Sequence, residues 1–152
     1  VGYPERAGEA QILLKRVERR HEVASVEPVV DAATLRAMQA GIERVYVEPD
    51  IANYCVDLAA ATRRHRAIEV GASPRGSQGL MLLGRARAVI DGRDFVTPDD
   101  VKQAAVPVLA HRLSLTTQAW ADGTRAADVV SGIVAAVAGP PAVGRRSAVG
   151  TQ

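Results

Sequence analysis

Apolar residues recur at three- and four-residue spacing in one stretch of this chain after another, and almost none of them is aromatic. Ala10, Leu13, Leu14 and Val17 form one such set, and Leu35, Met38, Ile42 and Val45 another. Ile51, Tyr54, Cys55 and Leu58 repeat the pattern, as do Val101, Ala104, Ala105 and Val108. That period gathers side chains on one face of an α-helix. With 47% hydrophobic residues but only one Trp, one Phe and three Tyr, the core must be built from Ala, Val, Leu and Ile. An Ala-rich, aromatic-poor chain favours packed helices over a sheet sandwich. The expected fold class is all-α, a small bundle of about five to six helices with at most very short strands.

Helix starts are marked by Pro and by capping residues. The first helix is expected over about Glu5 to Arg20. Asp31 can cap a second, Glu48-Pro49 breaks it, and Asp50 can cap a third that ends in Arg63-Arg64-His65-Arg66. Basic side chains suit the negative end of a helix dipole. Ala67–Val70 reads as a short extended piece. A fourth helix follows Ser73 to about Asp91, with Leu82, Leu83, Ala86, Val89 and Ile90 expected to face inward. Gly79 and Gly84 lie inside it, where each costs up to about 1 kcal/mol against Ala, so both predict close packing against a neighbour. Asp91–Asp94 reads as a turn and Phe95-Val96 as a brief extended stretch. Thr97-Pro98-Asp99-Asp100 combines an N-cap, a Pro at the first helical position and two acids at the dipole's positive end. Pro107 should kink or shorten the helix that follows. Residues 112–123 read as irregular, with room for a small strand at Leu113–Thr117. Asp122 or Thr124 then starts a last helix, with Val130, Ile133, Val134 and Val137 aligned, and Gly139-Pro-Pro ends it.

The chain is long enough for one domain with a real core. Its formal net charge of +2 comes from Arg145 and Arg146 in the last 14 residues, which hold no acid; residues 1–138 balance 17 basic against 17 acidic side chains. A nucleic-acid-binding domain normally carries a basic excess, and this chain lacks one. The lone Cys55 excludes an internal disulfide and fits a reducing, cytoplasmic setting. No apolar run approaches the ~20 residues of a membrane span. The chain opens Val1-Gly-Tyr-Pro without an initiator Met, so a piece of a larger protein is expected. Residues 139–152 read as a disordered tail.

Gly71-Ala-Ser-Pro-Arg-Gly-Ser-Gln78 carries the most chemistry. Ser73 reads as an N-cap, Pro74 as the first helical residue and Arg75 as the second. A helix start leaves N–H groups unpaired and carries about half a positive charge. A guanidinium beside them suits a phosphate; an ordinary capped helix bearing a solvated arginine is the alternative. The segment is not a P-loop, because Gly71-x4-Gly76-Ser77 lacks the lysine before the Ser and Pro74 removes an N–H from the cradle. His21, His65 and His111 stand apart, with no metal-ligand spacing, so no metal site is expected. Nothing in the chain assembles a complete active site.

Three motifs in order resemble the C-terminal helical lid of MoxR-type AAA+ ATPases over about residues 1–138. They are Ile68-Glu-Val-Gly-Ala-Ser-Pro-Arg-Gly76, Gly92-Arg-Asp-Phe-Val-Thr-Pro-Asp-Asp-Val101 and Pro107-Val-Leu-Ala-His-Arg-Leu113. The resemblance implies that residues 1–4 are the hinge from a nucleotide-binding core, residues 5–138 the lid, and Arg75 the sensor-2 arginine that reaches the γ-phosphate of ATP. Ser73 and Pro74 would form the start of its helix, and Tyr3 and Pro4 would lie near the adenine or ribose. Gly76, where relatives often carry Ala, is a departure that could loosen the first turn. The resemblance further implies ATP with Mg held through the absent core, which owns the Walker motifs, so this stretch alone would not hydrolyse ATP. It implies a hexameric, chaperone-like remodeller working with von Willebrand factor A-domain proteins. The competing reading is a freestanding helical protein-interaction or nucleic-acid-binding module, supported by the basic run at 63–66.

Overall fold

The computed structural model describes residues 4–19 and 27–141. They fall into two compact units, dividing between Leu35 and Arg36. In the first, helix α1 spans Arg6–Arg19. Its apolar stripe forms as the spacing requires, yet Ile12, Leu13, Leu14 and Val17 are all more than half exposed. The division falls within α2, Ala32–Glu43, whose capping is as expected: the Thr34 N–H donates to Asp31 Oδ1 at 2.7 Å. Leu35 and Met38, read as one apolar face with Ile42 and Val45, are about half exposed, whereas Val45 is buried.

The second unit holds the core. Helices α3 (Pro49–Arg64), α4 (Pro74–Ile90), α5 (Pro98–Leu109) and α7 (Ala126–Ala136) pack together. Leu58, Leu80, Val101, Leu109 and Val130 at their centre are completely buried. All four residues predicted for the α3 stripe and all four for the α5 stripe are buried. The start of α3 differs from expectation: Glu48 is the N-cap and Pro49 the first helical residue, so Asp50 lies inside the first turn.

Helix α4 turns a different face inward than expected. Its buried residues are Gly76, Leu80, Gly84 and Ala88, while Leu82, Val89 and Ile90 are exposed. The buried row is a ridge of mostly small side chains four apart, and it lets α4 lie close on α5. A methyl group at Gly79 would stand 2.9 Å from Val108 Cγ1, and one at Gly84 3.1 Å from Val96 Cγ1. The close packing expected at both glycines is therefore present.

The turn after α4 uses Gly92 at φ 70°, and Tyr46 and Phe95 form an isolated parallel bridge. Thr97 and Asp100 complete a capping box at the start of α5. Despite Pro107, α5 continues to Leu109 and passes into a 3₁₀ turn, Ala110–Arg112. Strand β1 (Ile68–Val70) pairs antiparallel with β2 (Ser114–Leu115), Ile68 opposite Leu115. The stretch read as irregular contains a further helix, α6 (Thr117–Ala121), capped by the Thr116 hydroxyl. Arg125 is the N-cap of α7, in place of Asp122 or Thr124. Seven α-helices and one two-stranded sheet among the described residues make this a small helical bundle. None of those helices is long and apolar enough to cross a membrane. The tail expected over 139–152 falls, from residue 142 on, outside the described residues.

Candidate functional site at the start of helix α4

The structure brings Ser73, Pro74 and Arg75 together where the sequence places them. Ser73 is the N-cap, with extended backbone (φ −73°, ψ 172°), Pro74 follows as the first helical residue, and Arg75 is the second. One element of the expectation fails: the Ser73 hydroxyl makes no cap hydrogen bond. Instead the Gly76 N–H donates to the Ser73 carbonyl at 2.7 Å, a tight three-residue closure. Ser73, Pro74 and Arg75 are all exposed. Among the described residues Arg75 takes part in no ion pair and no side-chain hydrogen bond. Gly76 is buried, and a methyl group there would stand 3.0 Å from Ala72 Cβ and 3.1 Å from Leu109 Cδ2.

What the spacing did not reveal is how this helix start is held. Near its C-terminal end, α3 presents Thr62, completely buried, and Arg63. The Thr62 hydroxyl donates to the Ala59 carbonyl at 2.6 Å and accepts the Ala72 N–H at 2.9 Å. Arg63 Nε donates to the Ala72 carbonyl at 2.7 Å. No periodicity marks these partners, since they link a helix to loop backbone nine and ten residues away.

The remaining sequence-selected residues are structural or stand apart. Pro4 is an exposed residue of the first unit, and Tyr3 lies outside the described residues, as does His21. His65 is the C-cap of α3, and its Nδ1 accepts the Ala67 N–H. His111 is exposed on the 3₁₀ turn, beside Arg112, whose Nε donates to the Val108 carbonyl at 3.0 Å. Cys55 is buried, and burial pushes its thiol up to about 11, which keeps it protonated and unreactive near neutrality. Among the described residues no three His, Cys, Asp or Glu side chains group as metal ligands.

An exposed guanidinium without a carboxylate partner, beside the free N–H end of a helix, is a fitting contact for an anionic phosphoryl group.

Residues 60–133 match the AAA lid domain family, so the bundle from the end of α3 into α7 is an AAA lid. Its relatives give the type. Over 140 residues the chain is 34% identical to the YeaC protein of Bacillus subtilis, covering 92% of this chain and 43% of that protein. It is 30% identical to the chaperone MoxR1 of Mycobacterium tuberculosis, over 92% of this chain and 39% of MoxR1. A third relative, the MoxR protein of Paracoccus denitrificans, is 34% identical over 54% of this chain and 28% of its own length. The chain carries a lid domain of the MoxR type of AAA+ ATPases. It spans less than half the length of the curated relatives it matches. A crystal structure from Cytophaga hutchinsonii, of a protein described as a candidate ATPase, superposes with a TM-score of 0.72 at 24% identity. That likeness covers 92% of this chain and 45% of the other, and speaks for the fold alone.

Proposed function

We propose that this chain is the nucleotide-sensing lid of a MoxR-family AAA+ ATPase and that Arg75 is its sensor-2 arginine. The observation that carries the reading is Arg75 itself: second in α4, exposed, and unpaired among the described residues. Bound ATP, with Mg held by a core domain, would supply the hydrolysis chemistry. The part of this chain is to answer to the charge of the terminal phosphoryl group. The guanidinium offers a rigid fork of donors, and the helix start adds its own positive end. An arginine in that position stabilises charge that develops during phosphoryl transfer and ties lid position to the presence of that group.

On this reading residues 1–4 are the hinge, with Tyr3 and Pro4 beside the base or sugar, and the lid begins at residue 5. Its partners are an AAA+ core of the same chain, neighbouring subunits of a hexamer in the cytoplasm, and von Willebrand factor A-domain proteins. The output is chaperone-like remodelling of partner complexes. The test is Arg75→Ala in the full-length protein. ATP turnover should fall by about tenfold or more, as expected for loss of one charge-assisted contact in the transition state. Unchanged turnover together with unchanged nucleotide affinity would overturn the assignment.

A second reading, a module that binds nucleic acid, draws on Arg64 and Arg66, which are exposed and unpaired among the described residues. It predicts salt-dependent binding of DNA or RNA by the chain alone. A gel shift without binding at low salt would remove it.

A further inference from the structure

We infer that Thr62 and Arg63 are positioning residues for Arg75: together they lock the Ala72 backbone and so set where the α4 helix start points. The inference rests on the sensor reading of Arg75.

A serine N-cap ordinarily orients the first helical turn through its hydroxyl. Here that hydroxyl makes no cap bond, so the direction of the turn must come from elsewhere. It comes from the residue just before the cap. Ala72 is 1% exposed, and both its backbone groups are taken by consecutive side chains of α3. A hydroxyl has one proton to give, and Thr62 spends it on the Ala59 carbonyl of its own helix. That bond turns its lone pairs toward the Ala72 N–H, so the donor is oriented before the loop arrives. Arg63 completes the grip from the carbonyl side.

Gly71 makes the approach possible. A methyl group there would stand 2.7 Å from both the Cα and the N of Arg63, which are backbone atoms that cannot step aside. Three independent features therefore seat the loop on the end of α3, and Arg75 follows Ala72 by only three residues. A catalytic contact misplaced by about 1 Å can lose about a hundredfold in rate. Loosening this seat should therefore reach Arg75 although neither Thr62 nor Arg63 need touch the nucleotide.

The experiment is a double-mutant cycle in the full-length ATPase. Thr62→Val keeps the shape and removes both hydrogen bonds. It should lower kcat for ATP several-fold, and Thr62→Ser should restore it to within about twofold. Combined with Arg75→Ala, Thr62→Val should add little, because the two act through one contact. Arg63→Ala, at an exposed position, provides the same cycle without disturbing the core. If either substitution costs the same factor with Arg75 present or absent, or neither costs anything while Arg75→Ala does, the positioning role is overturned and the sensor survives. If Arg75→Ala itself has no effect, the sensor reading fails and takes this inference with it.

Discussion

The Arg93 guanidinium holds Asp100 with both arms of its fork, Nη1 to Oδ2 at 2.8 Å and Nη2 to Oδ1 at 2.7 Å. Asp100 is 3% exposed and also accepts from the Thr97 N–H and hydroxyl, while Arg93 reaches Asp91 and the Phe95 carbonyl as well. One carboxylate thus closes the turn between α4 and α5 and caps α5 at the same time. Removing one partner of a buried pair leaves the other uncompensated. Asp100→Ala should therefore cost about 3 kcal/mol, read by chemical denaturation. A loss below about 0.5 kcal/mol would show that the pair contributes no more than a surface bridge.

The same pair sets an acid limit. Burial pushes the Asp100 carboxyl up, but the Arg93 hydrogen bonds, with those from Thr97, outweigh it and hold the pKa below its ordinary 3.8. A carboxylate more acidic in the folded than in the unfolded chain gives stability that is complete above the unfolded value. That stability drains away as pH falls through the folded one. The unfolding free energy should therefore be insensitive to this group above about pH 5 and drop below about pH 4. Asp100→Asn should flatten that part of the curve, and an unchanged slope would contradict the assignment.

Tyr54 lies 2% exposed in the core, and its hydroxyl has no hydrogen-bond partner among the described residues. A buried hydroxyl left unpaired is a cost rather than a gain. Tyr54→Phe should thus be neutral or stabilising by about 1 kcal/mol, visible as an equal or higher Tm. A clear loss of stability would mean that the oxygen has a partner.

Gly71→Ala tests the seating of the loop without touching a functional side chain. The added methyl meets backbone on α3, so it should destabilise the lid by about 1–3 kcal/mol, the usual range for overpacking. Gly41→Ala is the control. It lies in α2 with nothing within 4 Å of its added carbon, and should stabilise by up to about 1 kcal/mol. Equal effects at the two positions would argue against a tight approach at Gly71.

The apolar period reads well in α3 and α5, whose stripes are buried. On α1 the same period leaves Leu13, Leu14 and Val17 exposed, because period marks a face and not what covers it. Helix α4 is misread because the face that enters the core is carried by Gly76, Gly84 and Ala88. A pattern weighted by hydrophobic bulk points to Leu82, Val89 and Ile90 instead; Gly79 and Gly84 signal a close approach, but smallness alone does not say which face of the helix makes it. Five-residue α6 is too short to show a period, although Thr116 and Gly123 bracket it. At the candidate site, Ser-Pro-Arg announces a helix start, and Arg75 is the second residue of that helix. Thr62 looks like an ordinary polar residue on an apolar helix, because its partner is a backbone group that only the folded chain brings near.

The α4–turn–α5 hairpin has consequences for the order in which the chain assembles. Its contacts join residues close in sequence, and its turn carries its own ion pair and capping box. β1 and β2, by contrast, join Ile68 to Leu115 across the whole hairpin. Closing a longer loop costs more entropy before any contact repays it. The hairpin should therefore nucleate folding and the strand pair should zip last. Substitutions at Val101 would then slow refolding, while those at Leu115 would mainly hasten unfolding.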